Sequence, residues 1–300
     1  MRFKRSAPIL LMFVMLILVF PLQGMAENKL IVYTVNYPLY YFAERIGGEY
    51  IQVVLPAPSD VDPAFWNPDD YTVRQYQKAD LIILNGAGYA KWTRKVSLPM
   101  LRMVDTSRAF KDELIHIETN VTHNHGPGGD HSHGGTAFTT WLDFSQAAMQ
   151  AEAVYKALVR KLPAQKQDFT KNFKELKEDL LDLDKQMIVI GERMLQTPLF
   201  ASHPIYQYVA RRYDMNIQMM MWEPDEDPGE REWQNLQEAA KDHPAKWMIW
   251  EGEPFSASFN KLQNMGINST VFNPCMNRPA EGDFLLVMQA NIENLRKTYQ

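Results

Sequence analysis

Short apolar runs alternate with amphipathic stretches along most of this chain. LIVYTV at 30–35 is β-branched and apolar, and YYFAERIGG at 40–48 follows with helical spacing and a double-glycine stop. IQVVLP and ADLIILNG repeat the short apolar run, each closing on a turn former. Runs that are continuously apolar, rather than alternating, predict strands covered on both faces, and so parallel α/β sheets.

The centre of the chain has another period. From Gln165 to Leu195 there is no proline, and Gly191 is the only glycine. Phe169, Phe173, Leu176, Leu180, Leu183 and Met187 recur at spacings of 4, 3, 4, 3 and 4, one narrow apolar stripe on a long helix. Thirty residues at about 1.5 Å each reach roughly 45 Å, longer than a small domain is wide. The heptads stop too soon for a coiled-coil dimer, so the stripe reads as a helix running across two lobes. Beyond it the first rhythm returns: PLFAS, a helix over 206–213, IQMMM, a helix through Trp233 to Ala240, KWMIW, a helix over 255–265, STVF, and a last helix over 284–295. The expected fold is α/β, two parallel α/β lobes joined by a long rigid linker helix. The expected division is a lobe over 27–162, the helix over 163–196 and a second lobe over 197–300. Ligands of such sheets sit outside the carboxyl ends of the strands, here in the crevice between lobes.

The first 26 residues do not fit either rhythm. Arg2, Lys4 and Arg5 precede an uncharged apolar run from Pro8 to Leu22, and Gly24-Met25-Ala26 offers a small-residue cleavage site. The expectation is a signal peptide cleaved before Glu27, with the mature protein in the periplasm as a monomer. Its removal takes the formal charge from -5 to -8, which leaves no electrostatic footprint for nucleic acid. Cys275 stands alone, so no disulfide framework is expected, and it reads as a small buried residue.

The remaining chemistry concentrates in one place. Residues 122–135, THNHGPGGDHSHGG, hold four of the chain's 7 histidines. His123-x-His125 and His131-x-His133 each place two imidazoles on one side of an extended backbone, and the glycines between them let one pair fold onto the other. Imidazole nitrogen is a good ligand for Zn²⁺ and for other divalent transition metals, and histidine-rich tracts read as metal binding. The plainer reading is a solvated loop that collects metal weakly. His116 and His243 lack such context and are expected at the surface. Met219-Met220-Met221 reads as core packing, because three consecutive strand residues do not share a face. WEPDEDPGEREW at 222–233 lacks the register of a calcium loop and reads as a solvated turn into a helix. Neither HExxH nor GxSxG occurs, so an enzyme is not expected.

An ordered set of segments carries a resemblance. TVNYPLYYFAERIGG, a DPxxW segment at 62–66, QKADLIILNGAGYAKW, the histidine-rich loop before TTWLD, the long helix, ASHPIYQYVARRY and FNP resemble the periplasmic metal-binding proteins of zinc and manganese ABC importers. The resemblance covers nearly the whole mature chain. It implies a metal in the crevice and a membrane permease as partner. It also implies four ligand positions, which here read Ala64, Thr139, His203 and Asn273. Only His203 keeps a strong ligand; alanine cannot coordinate, and threonine and asparagine oxygens are weak partners for zinc. The expected metal set is therefore His203 with loop residues His123, His125, His131 and His133, and with Glu251 in IWEGEP adding a carboxylate. Glu251 and Glu253 read equally well as acids before the next helix. The expected function is capture of a divalent transition metal, zinc first, for delivery to an ABC importer. The alternatives are the same fold with an altered cargo (another cation, a metal chelate, a small polar ligand) or a periplasmic metal chaperone.

Overall fold

A computed structural model describes residues 29–117, 135–195, 197–222 and 226–299, together with the backbone of 122–125 and 129–132. The proposed signal peptide lies outside the described residues. The chain begins with β1 (Leu30–Thr34) and enters α1 (Tyr37–Gly47) through Asn36, whose side chain caps the Leu39 N–H. Gly48 ends α1 at φ +53, as the double-glycine stop anticipates. Next come β2 (Ile51–Val54), α2 (Asp70–Lys78), β3 (Leu81–Leu84) and β4 (Met103–Asp105). The four strands form one parallel sheet in the order β2-β1-β3-β4. β4 has no counterpart in the sequence reading, since a three-residue MVD run carries too little pattern to stand out.

Four short strands follow. β5 (His116–Ile117) pairs antiparallel with β8 (Gly135–Thr136), and between them β6 (Thr122–His125) pairs with β7 (Gly129–Ser132). α3 (Phe144–Lys161) and α4 (Lys166–Met194) then pack side by side. All six residues of the predicted stripe are buried on α4, joined by Ile190 and Met194. Each such side chain contributes about 2 kcal/mol by leaving water.

The second sheet repeats the design of the first. β9 (Leu199–Ala201), α5 (Gln207–Arg212), β10 (Ile217–Met219), α6 (Glu230–Asp242), β11 (Trp247–Trp250), α7 (Ser256–Asn264), β12 (Asn268–Val271) and α8 (Phe284–Arg296) succeed one another. Their strand order is β10-β9-β11-β12, again parallel, so both lobes wind the same way although their sequences show no repeat. In each sheet the order reverses between the first and third strands, and that switch point is where a crevice opens. One apolar cluster runs from the first sheet through α3 and α4 to α8. A second, built on Phe200, Trp222, Trp233 and Trp250, lies in the second lobe. Among the described residues no helix is long and apolar enough to cross a membrane.

Candidate functional site

The ends of β9 and β11 flank the switch point of the second sheet. The Ser202 N–H still bonds to the Ile249 carbonyl at 2.9 Å, and His203 and, after Trp250, Glu251 lie just beyond the two strand ends. His203 is 5% exposed, and its Nδ1 lies 2.7 Å from the Trp222 carbonyl oxygen. A carbonyl only accepts, so Nδ1 carries a proton and donates it to Trp222. Metal-binding imidazoles are commonly held in this way, with one nitrogen orienting the ring for the other. Glu251 is half-buried close to Tyr206. Burial raises the Tyr206 phenol well above its ordinary range and the nearby Glu251 charge adds to that, so Tyr206 stays neutral and donates to the Phe272 carbonyl at 2.7 Å.

The other three positions that the resemblance implies, Ala64 and Thr139 from the first lobe and Asn273 from the second, hold other groups. Ala64 is buried, and its N–H bonds to the Asp62 carboxylate at 2.8 Å. Thr139 is buried and spends its hydroxyl on the Ile205 carbonyl across the crevice, at 2.5 Å. Asn273 is committed as well: its side-chain oxygen accepts the Cys275 N–H at 2.7 Å, while Asn291 brackets its backbone N–H and carbonyl at 2.8 and 2.7 Å. That turn holds Cys275 at φ +57. Three of the four positions at which the resemblance implies ligands therefore serve packing and chain direction. Beside Ala64, Phe65 packs edge-on to Phe138 and Trp66 edge-on to Trp92.

Two sets of residues here were not identified from the sequence. Tyr89 stands between Phe138 and Trp141, and its buried hydroxyl has no hydrogen-bond partner among the described residues. Burial raises this phenol far above its usual range, with Asp62 nearby adding to the effect. Asn36, Asn85, Thr106 and Gln150 form a buried amide cluster at the carboxyl end of the first sheet. Gln150 donates to Asn85 at 3.1 Å and to Thr106 at 2.9 Å, while Asn85 donates to the Phe138 carbonyl at 2.9 Å. Tyr89, Asn36, Asn85 and Thr106 lie in loops after strands and Gln150 lies on α3, and a single polar residue in either place carries no periodic signal.

A cavity of about 380 Å³ lies between the lobes, with Lys91, Arg94, Lys95 and Phe138 on its first-lobe wall and Pro204, Ile205 and Gln207 on the second. Burial lowers the Lys91 pKa, and the neighbouring charges of Lys95 and Arg94 lower it further. Ile117 and Gly135, paired between β5 and β8, also line it, so residues 118–134 leave and return at the cavity wall. Within that stretch the β6–β7 register sets His123 opposite His131 and His125 opposite Gly129, and His133 lies outside the described residues. Among the described residues, no three His, Cys, Asp or Glu side chains gather closely enough to hold a metal ion. His116 is exposed, as expected. His243 corrects its expectation: it is half-buried, with Nε2 2.8 Å from the Leu199 carbonyl and its ring on Phe200. Cys275 is buried, as expected, and its thiol is pushed up to about 12 by burial, with Asp283 adding to it.

A crevice framed by strand ends from two like-wound sheets, turned about one long helix, is the build of a two-lobed ligand receptor. Residues 32–298 match the family model described as ZnuA, zinc-uptake complex component A, periplasmic, and the chain belongs to that family. The zinc-binding lipoprotein AdcA of Streptococcus pneumoniae is 25% identical over 288 residues, covering 92% of this chain and 57% of AdcA. The chain thus spans a little over half the length of that relative. The high-affinity zinc uptake system protein ZnuA of Bacillus subtilis is also 25% identical, covering 91% of this chain and 90% of its own length. The fold is shared with the metal-dependent lipoprotein YcdH of Bacillus subtilis, at TM-score 0.76 and 23% identity over 90% of this chain and 99% of that one. Zn(II)-bound AdcA from Streptococcus pneumoniae gives 0.74 and 22%, over 91% of this chain and 58% of that one.

Proposed function

We propose that this chain captures a divalent transition metal, zinc first, between its lobes and delivers it to the membrane permease of an ABC importer. The observation that carries the reading is His203, a buried imidazole whose Nδ1 is fixed by the Trp222 carbonyl at the switch point of the second sheet. Its Nε2 is the first ligand, and Glu251 beside it adds a carboxylate. His123, His125, His131 and His133 supply the imidazoles that Ala64 and Thr139 do not. The rooting of residues 118–134 at the cavity wall supports this assignment. Histidine and carboxylate donors suit zinc without thiolate or redox chemistry. In this reading the chain is a monomeric, periplasmic binding protein without catalytic activity, exported by a cleaved signal peptide.

The test compares zinc content and zinc affinity in chelator-free full-length protein, in His203→Ala and in a form lacking residues 123–133. The intact protein is expected to hold one zinc, His203→Ala to lose at least tenfold in affinity, and the deletion to lower both affinity and stoichiometry. Unchanged binding in the deletion would remove the loop from the site, and unchanged binding in His203→Ala would remove the crevice.

A further inference from the structure

The described lining of the cavity between the lobes has the wrong charge for a bare cation. Lys91, Arg94 and Lys95 all reach it from the first lobe, and its described lining contains no acidic residue. This happens on a chain whose formal charge is -5. Three positive groups on one concave wall repel Zn²⁺ and concentrate anions.

The second lobe adds a group of the opposite hydrogen-bonding sense. Gln207 lines the same cavity and donates its amide nitrogen to the Pro204 carbonyl at 2.7 Å, which fixes the amide's orientation. Its Oε1 is then left buried without a hydrogen-bond partner among the described residues. A buried acceptor in that state is costly, and a donor on a ligand relieves the cost. The wall itself is strained. Ala87 lines the cavity at φ +52, and Ala90 beside Lys91 sits at +51. Non-glycine residues rarely adopt this conformation, and such strain concentrates at functional positions.

We propose that this cavity binds a small hydroxypolycarboxylate, its carboxylates against Lys91, Arg94 and Lys95 and its hydroxyl donated to Gln207 Oε1. The volume falls in the range of small-molecule sites. Pro204 and Ile205, which follow His203 in the chain, form part of its wall, so an anion held there lies beside the proposed metal ligand. The extension to cargo, that metal enters as an anionic chelate, rests on the zinc-capture reading; the anion site does not.

Calorimetric titration of the full chain with citrate, with tricarballylate (the same carboxylates without the hydroxyl) and with zinc chloride tests the site. Citrate is expected to bind, and more tightly than tricarballylate. R94Q/K95Q, two exposed positions, should weaken citrate at least tenfold without weakening zinc binding. Gln207→Leu should abolish the preference for citrate over tricarballylate. Absence of citrate binding at millimolar concentration, or equal citrate affinity in R94Q/K95Q, overturns the proposal. If zinc alone fails to bind while citrate binds with this sensitivity, the zinc-capture reading falls and the anion site stands.

Discussion

At the scale of single residues, position relative to a strand end decides what a side chain can do. His203 and Glu251 follow the two central strands of the second sheet, whereas Asn273 and Thr139 are consumed by a turn and by the Ile205 carbonyl. Cys275 shows the same dependence on place. Burial keeps its thiol protonated up to about pH 12, while the unfolded chain ionises it near 9. The stabilisation from the neutral thiol is therefore complete below about pH 9 and is lost as pH rises toward 12. Denaturant unfolding of wild type and Cys275→Ala at about pH 8 and about pH 10.5 should show the wild type losing more stability on the alkaline step. A thiol reagent should label native Cys275 only as fast as the protein opens. The residue types were legible in the sequence, and so was the burial of Cys275. The tautomer of His203 was not, because it depends on Trp222, nineteen positions away.

At the scale of elements, the long helix was the most legible part of the chain and also hides a constraint. All six residues of its stripe lie on the buried face of α4, since period sets the apolar part of that face. Gly191 is different: a Cβ there would stand 2.0 Å from the Tyr213 carbonyl oxygen, so α4 and the end of α5 meet backbone to backbone. Gly→Ala in a helix ordinarily gains up to about 1 kcal/mol. Here the overlap reverses the sign, and Gly191→Ala is expected to cost about 1–3 kcal/mol. Gly252, with open space around its Cβ position, should accept alanine within about 0.5 kcal/mol. Paired thermal melts of the two variants would read this difference directly. Neither the close approach nor β4 carries a sequence signal, because one is a tertiary contact and the other is too short to show a period.

At the scale of the molecule, the lobes are tied to each other and to the spine. Trp141 donates to the Pro274 carbonyl at 2.8 Å, Asn277 to the Val61 carbonyl at 2.8 Å, and Tyr208 to the Ala137 carbonyl at 3.0 Å. Asp184, a buried acid inside the apolar stripe, takes Arg212 in two hydrogen bonds of 3.1 and 2.6 Å and Tyr213 at 3.2 Å. Tyr213 in turn accepts the Phe144 N–H at 3.0 Å, which joins α4, α5 and the start of α3. The Asp184 hydrogen bonds raise the Arg212 guanidinium pKa above its already high range, so its charge is permanent. Arg212→Ala strands the Asp184 carboxylate and is expected to cost about 2 kcal/mol, less than a fully buried pair because the Arg212 side chain is 35% exposed. Arg296→Ala, at a surface pair with Glu293, should cost under about 0.5 kcal/mol. Melting temperatures would separate the two. The two-lobe plan followed from strand rhythm, but this junction did not, since LLDLDKQM gives no hint that Asp184 faces inward. With a 29-residue helix seated against both halves, the receptor is braced like a beam and lacks a free elbow. If a permease docks there as proposed, a brace of this kind leaves little hinge travel to announce a filled crevice, and the announcement falls to the crevice rim.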